Sequence, residues 1–306
     1  MIPVDLNNVF ITGHETQGAI EKAEIAGYPR NLCGWIKGIY GTVINTGDIK
    51  KLIAVTQGDC SNTHALMETL ELEGIETIPF AYPFDRDRDL LKLQIEKIMD
   101  CLGTSWEEVN KQKKYLDEVR SLVWEIDRLT WQENVVSGQE NHYFLVSCSD
   151  FNSDPDRFAL EAEEFIRQVR QREPVREGLR LGFIGVPPII TDIYQYLESG
   201  GCRVVYNEVQ RQFSMPFKTA DLVEQYRMYT YPYHVFYRIE DIKREIRDRK
   251  LDGIIHYTQS FCFRQIEDII FRSKLHIPIL SLEGDRPGLL DARSKIRIDA
   301  FLELLR

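Results

Sequence analysis

Apolar residues come in short blocks set between stretches of mixed polarity, and the blocks place the predicted elements. Leu52-Ile53-Ala54-Val55 is apolar throughout, which predicts a strand buried on both faces of a parallel sheet. Thr63 to Glu73 carries Leu66 and Leu70 at helical spacing, Gly74 is placed to close that helix, and Ile75 to Phe80 reads as the next strand. Upstream, Val9 to Gly13 reads as a short strand and Glu15 to Ala26 as a helix. From Arg86 to about Arg128 the pattern is helical: Leu90, Leu91, Ile95 and Ile98 recur at helical intervals, and Thr104-Ser105-Trp106-Glu107-Glu108 supplies a helix start. The mixed charges Arg86, Asp87, Arg88 and Asp89 are expected on a solvated face. A Pro155-headed helix runs to about Gln171, and Arg172 to Gly178 reads as a linker. Beyond it, strand and helix alternate again: Arg180–Gly185, Ile189–Ser199, Cys202–Tyr206, an aromatic-rich stretch, Ile239–Arg249 and Gly253–Tyr257. Such alternation predicts an α/β protein with two Rossmann-like, doubly wound parallel-sheet domains joined by a helical segment. The expected division is 1–103 with Cys33 and Cys60, a helical connection 104–178, and 179–306 with Cys262.

Composition narrows the class. The chain has 306 residues, 43% apolar and 28% charged, which suits a folded globular protein and excludes collagen, coiled coil and disorder. No apolar run reaches the length of a membrane span. Met1-Ile2-Pro3-Val4-Asp5 has neither a basic flank nor an apolar core for export, so the cytoplasm is the expected compartment. With 38 basic against 48 acidic residues the net charge is −10, which does not favour nucleic acid as a partner. Six cysteines are too sparse for a disulfide scaffold in a chain of this size, so each is a buried filler, a reactive thiol or a metal ligand. The histidines show no His-x3-His or His-Glu-x-x-His spacing, and no Gly-rich phosphate loop or Gly-x-Ser-x-Gly elbow occurs.

An internal repeat carries more information. Leu52-Ile53-Ala54-Val55-Thr56-Gln57-Gly58-Asp59-Cys60 and Gly253-Ile254-Ile255-His256-Tyr257-Thr258-Gln259-Ser260-Phe261-Cys262 share an apolar strand followed by Thr-Gln-x-x-Cys and a helix. The same interval leads from Cys60 to Ile75 and from Cys262 to Ile277, each opening another strand. Both cysteines therefore fall at the carboxyl end of a strand, where open α/β sheets collect ligands and helix N-termini favour thiolate. Cys33, at the start of a helical pattern, is a third candidate. Cys101 and Cys202 read as core fillers, Cys148 as filler or ligand, His64 as a residue able to line the same cleft, and His256 as a satisfied core histidine. Three dispersed cysteines are unlike the close pairs of zinc ribbons and suit an iron–sulfur cluster.

At these residues the sequence resembles the iron–sulfur subunits of 2-hydroxyacyl-CoA dehydratases and class I benzoyl-CoA reductases, with the related double-cubane cluster proteins. The resemblance rests on Asn31-Leu32-Cys33-Gly34-Trp35-Ile36-Lys37-Gly38, on Asp59-Cys60-Ser61, and on Phe261-Cys262 through Leu305, including Ile277 to Asp285 and Arg297 to Glu303. It implies Cys33, Cys60 and Cys262 as ligands of a [4Fe-4S] cluster or joined double cubane. It also implies a homo- or heterodimer with a related subunit, and an ATP-hydrolysing activator that delivers low-potential electrons. The electrons would pass to an acyl-CoA thioester, in radical dehydration or reduction. A homodimeric double-cubane reductase of small molecules, or a non-catalytic electron-transfer subunit, are the alternatives. Gln57 and Gln259, each three residues before its cysteine, are expected either to donate an amide hydrogen to the cofactor or to cap their own loops.

Overall fold

The leucine at position 6 and the phenylalanine at position 10 lie four residues apart, one helical turn, and both are buried. With Asp5 accepting the Asn7 N–H as a cap, they make helix α1 (Leu6–Thr12). The expected strand at Val9 to Gly13 is therefore helical, because the apolar run was too short to distinguish the two periods. The computed structural model describes residues 2–175 and 178–306, so Met1 and the Arg176-Glu177 part of the expected linker lie outside the described residues.

Helices α2 (Thr16–Ile25) and α3 (Gly34–Thr46) follow, then β1 (Lys51–Gln57), α4 (Thr63–Leu72) and β2 (Glu76–Ala81). β1 and β2 pair in parallel as a two-stranded sheet. Among the described residues this half forms no doubly wound sheet, and Ile53 of β1 is 47% exposed rather than buried. One cause is the absence of a further strand: the chain turns to helix instead, and α3 and α4 pack Val43, Leu66 and Leu70 into the core beside β1.

The long helices are α5 (Arg88–Leu102) and α6 (Trp106–Arg128), the latter opened by a reciprocal Ser105–Glu108 capping box. Arg86 departs from the expected solvated face: its guanidinium lies 3.8 Å from the centroid of the Tyr237 ring. Helices α7 (Gly138–Ser147) and α8 (Pro155–Val169) pack on α6 around Val123, Ile126, Leu145, Phe158 and Ala162.

The C-terminal part runs β3 (Leu179–Gly185), α9 (Ile193–Ser199), β4 (Cys202–Asn207), α10 (Glu208–Phe213), α11 (Leu222–Met228) and α12 (Val235–Asp248). It continues with β5 (Gly253–Gln259), α13 (Glu267–Lys274), β6 (Ile279–Gly284) and α14 (Ala292–Leu305). All four strands are parallel in the order β4-β3-β5-β6. One face carries Leu181, Phe183, Ile255 and Tyr257 against Ile193, Leu197, Ile298 and Phe301 of α9 and α14. The other carries Ile184, Val205 and Ile254 against Ile239, Ile242 and Phe271 of α12 and α13. Helices thus cover both faces, and the strand order reverses between β3 and β5, where ligands of such sheets bind. Among the described residues, no helix is long and apolar enough to cross a membrane.

Candidate functional site

The three cysteines come from three separate loops. Cys33 is the N-cap of α3, Cys60 sits in the turn between β1 and α4, and Cys262 caps the short 3-10 turn Phe263–Ile266 after β5. The two halves of the sequence repeat are both strand–cysteine loop–helix–parallel strand units, β1-α4-β2 and β5-α13-β6. All three cysteines line one cavity of about 570 Å³, together with the Val186-Pro187-Pro188 loop at the end of β3. The cavity therefore reaches the point where the strand order of the four-stranded sheet reverses.

Burial pushes the Cys33 thiol up to about 12, against the pull of the Ile36 and Trp35 backbone N–H groups and with the other two cysteines adding repulsion. Cys60 and Cys262 are raised for the same first reason, burial. In each case the backbone N–H two residues on favours the anion: Trp35 for Cys33, Asn62 for Cys60 and Arg264 for Cys262. Turn geometry at three loop ends thus gives each sulfur the same kind of donor.

The rest of the wall is mixed. Tyr82, Tyr229 and Tyr231 make an aromatic side, and Asp59 opens onto the cavity but is surrounded by protein, which raises its carboxyl while Arg264 and Tyr231 act to lower it. His142 edges the far side with Cys148, Ser149 and Asp150, and burial pushes it down to about 4. Residues 3–8 close over that side: the Asp5 N–H donates to Asp150 at 2.8 Å and Asn8 Nδ2 to Ser149 Oγ at 3.1 Å.

Of the two glutamines, Gln259 is on the cavity wall and buried, and its Nε2 donates to the Asp285 carbonyl at 2.7 Å. Gln57 is exposed and outside that wall, and a break in strand register lies between it and Val55. His64 turns to the Thr56 carbonyl at 2.9 Å and is likewise outside it. Cys202 is buried as expected, whereas Cys101 is exposed on the last turn of α5 rather than filling a core. His256 is buried with Nδ1 2.8 Å from Asp268, but among the described residues its Nε2 has no partner, so it is only half satisfied.

Sequence reasoning did not find Arg264, Asp59, His142 or the tyrosines as neighbours of the thiols. Asp59 adjoins Cys60 in a motif already noted, and Arg264 lies two residues after Cys262, so both were within reach of the sequence; His142 was not, because only the chain fold brings α7 there.

The residues present fit a thiolate-bound iron–sulfur group. The donor set is three soft thiols, the cavity is larger than a single ion needs, and the Nε1–H of Trp35, two residues after Cys33, is buried without a partner among the described residues. Among the described residues, no three His, Cys, Asp or Glu side chains stand close enough to clasp one metal ion. A cluster would be held through one thiolate from each of Cys33, Cys60 and Cys262, a different demand from three side chains on a single ion.

Comparison with curated proteins gives no match. The family described as 2-hydroxyglutaryl-CoA dehydratase, D-component, matches residues 1–305. With that match spanning nearly the whole chain, from the Cys33 helix through the Cys60 and Cys262 loops to α14, the protein belongs to the 2-hydroxyglutaryl-CoA dehydratase D-component family.

Proposed function

We propose that this chain is an iron–sulfur subunit of the 2-hydroxyacyl-CoA dehydratase type. It passes low-potential electrons from an ATP-dependent activator to an acyl-CoA thioester, in radical dehydration or reduction. The observation that carries the reading is the convergence of Cys33, Cys60 and Cys262, from three loops, on one cavity at the end of a parallel sheet. A [4Fe-4S] cluster or joined double cubane bound to them would supply one-electron chemistry with a coordination site left open by the three-thiolate set.

The chain's own residues have defined tasks. The N–H groups of Trp35, Asn62 and Arg264 offset thiolate charge. Tyr82, Tyr229 and Tyr231 wall the cavity with rings that exclude water. His142 stays uncharged near neutral pH and offers an imidazole nitrogen at the opposite wall.

The D-component description suits a chain that works with other components, here a related subunit as dimer partner and the activator. Nucleic acid and membrane have no part in the reading. Six free cysteines suit the reducing cytoplasm. The division into 1–103, 104–178 and 179–306 is proposed with it, the helical middle segment holding the outer parts around the cavity.

The test uses anaerobically purified, iron-loaded protein reduced by a strong chemical reductant. Addition of a 2-hydroxyacyl-CoA thioester should change the electron paramagnetic resonance spectrum of the reduced centre, and the matching free acid should not. A spectrum indifferent to the thioester contradicts the substrate assignment.

A further inference from the structure

Beside the thiols, one guanidinium joins two of the cysteine loops. Arg264, two residues after Cys262, is 4% exposed. Its NH2 donates to the carbonyl of Gly58, two residues before Cys60, at 3.2 Å, and to the Tyr231 carbonyl at 3.3 Å. Its NH1 pairs with Glu267 at 3.0 Å, and its plane lies over the Tyr231 ring, 4.1 Å from the centroid. Glu267 also takes Arg238, which holds the fully buried Glu208 at 2.7 and 2.9 Å, and Glu208 accepts the Gly185 N–H at 3.0 Å. A line of buried ion pairs therefore runs from the Cys60 loop, past the Cys262 loop, to the end of β3.

The Cys60 loop has little freedom to move away from this clamp. Gly58 has φ +101°, and a Cβ there would lie 2.7 Å from the Pro232 carbonyl. The two arginines balance two glutamates along the line, and Asp59 adds an anion beside Cys60, so what Arg264 brings to the two loops is a cation held in place by its contacts to Gly58 and Glu267. Burying a guanidinium is costly unless every donor is used in a fixed place, and here two N–H groups reach carbonyls while another reaches a carboxylate.

We infer that Arg264 is the positioning residue of the thiol set. Its fork fixes the Cys60 loop against the Cys262 loop, and its charge favours the more reduced, more negative state of a thiolate-bound centre. The inference rests on the reading of these cysteines as ligands, and its two measurements separate the failure of one from the failure of the other.

Full-length Arg264→Lys and Arg264→Gln are compared with wild type, with thermal melts to establish folding. In metal-free protein, bridging of Cys60 to Cys262 by dibromobimane, located by peptide mass spectrometry, should slow about tenfold in both variants, because lysine keeps the charge but not the fork. In iron-loaded protein, Arg264→Gln should weaken the reduction equilibrium about tenfold, a fall of ~59 mV for one electron, while Arg264→Lys stays near wild type. A Gln variant that bridges as fast as wild type overturns the clamp, and an unchanged potential in that variant overturns the charge effect. If wild type takes up no iron while bridging still slows in the variants, the clamp stands and the cluster reading falls.

Discussion

His142 holds its Nδ1 3.2 Å from the Tyr194 hydroxyl and 3.3 Å from Gln210 Nε2, deep beside the cavity. Burial lowers its pKa from the usual 6.5 to about 4, so the unfolded chain takes a proton before the folded one does. The stability this neutral ring permits is complete above pH ~6.5 and is lost as the pH falls from ~6.5 towards ~4. Urea unfolding of wild type and His142→Gln should therefore differ in pH dependence, with wild type losing up to about 2 kcal/mol more than the variant between pH 7.5 and 5. Parallel pH profiles for the two proteins contradict this. At the same scale, Gln259 illustrates how a repeat can be legible while its polar detail is not. The Thr-Gln-x-x-Cys spacing put two glutamines in matched places, yet Gln259 donates to Asp285, across the gap to the loop after β6, and Gln57 is exposed. Which amide finds a partner depends on the neighbouring strand end, which spacing along the chain does not encode.

Helix α3 shows what the Cys33 motif does physically. Gly34 lies so close to the loop after β6 that a Cβ would sit 2.6 Å from the Asp285 carbonyl and 3.4 Å from Gln259 Nε2. Gly38 leaves room for the Phe10 ring, and Lys37, fully buried, pairs with Glu24 of α2 at 2.8 Å. The motif is thus a docking surface that seats the Cys33 cap against α1, α2 and the end of the four-stranded sheet. Gly34→Ala should force α3 from the Asp285 loop and destabilise the protein by roughly 1–3 kcal/mol, the usual range for overpacking. Denaturant unfolding checks this, and a neutral result contradicts the close docking. Other elements were readable to different degrees. The α7 helix falls inside the helical segment expected at 104–178, but its start at the capping-box sequence Ser137-Gly138-Gln139-Glu140, whose two reciprocal bonds both form, was not singled out. The α6 cap at Ser105 and Glu108 was read correctly from the same kind of signal. The α1 segment was misread because a three-residue apolar run, Val9-Phe10-Ile11, cannot separate a period of two from one of 3.6.

At the scale of the molecule, the parallel C-terminal sheet was legible because its strands alternate with helices along the chain, although the burial of β5 along its whole length, His256, Thr258 and Gln259 included, was not. The N-terminal half followed the same strand–helix–strand pattern but holds two strands, since the pattern of one strand–helix–strand unit does not say how many strands will join it. Nor could the sequence show the buried pairs that tie the helical segment to the sheet. Arg249 at the end of α12 reaches Asp127 of α6 at 2.6 Å and the Val205 carbonyl of β4 at 2.7 Å. What the repeat did convey was that two cysteine loops, far apart in the chain, face a common cavity, and Cys33 joins them there. The central claim is that these three thiols together hold iron. It is tested most directly by counting iron and sulfide per chain, after purification without oxygen, in single Ser variants of Cys33, Cys60, Cys262, Cys101 and Cys202. All five make the same sulfur-to-oxygen change; buried Cys202 controls for the cost of burying a hydroxyl, and exposed Cys101 for a surface exchange. Iron should be depleted at Cys33, Cys60 and Cys262 and stay near wild type at Cys101 and Cys202; full iron in Cys262→Ser would contradict a three-thiol site.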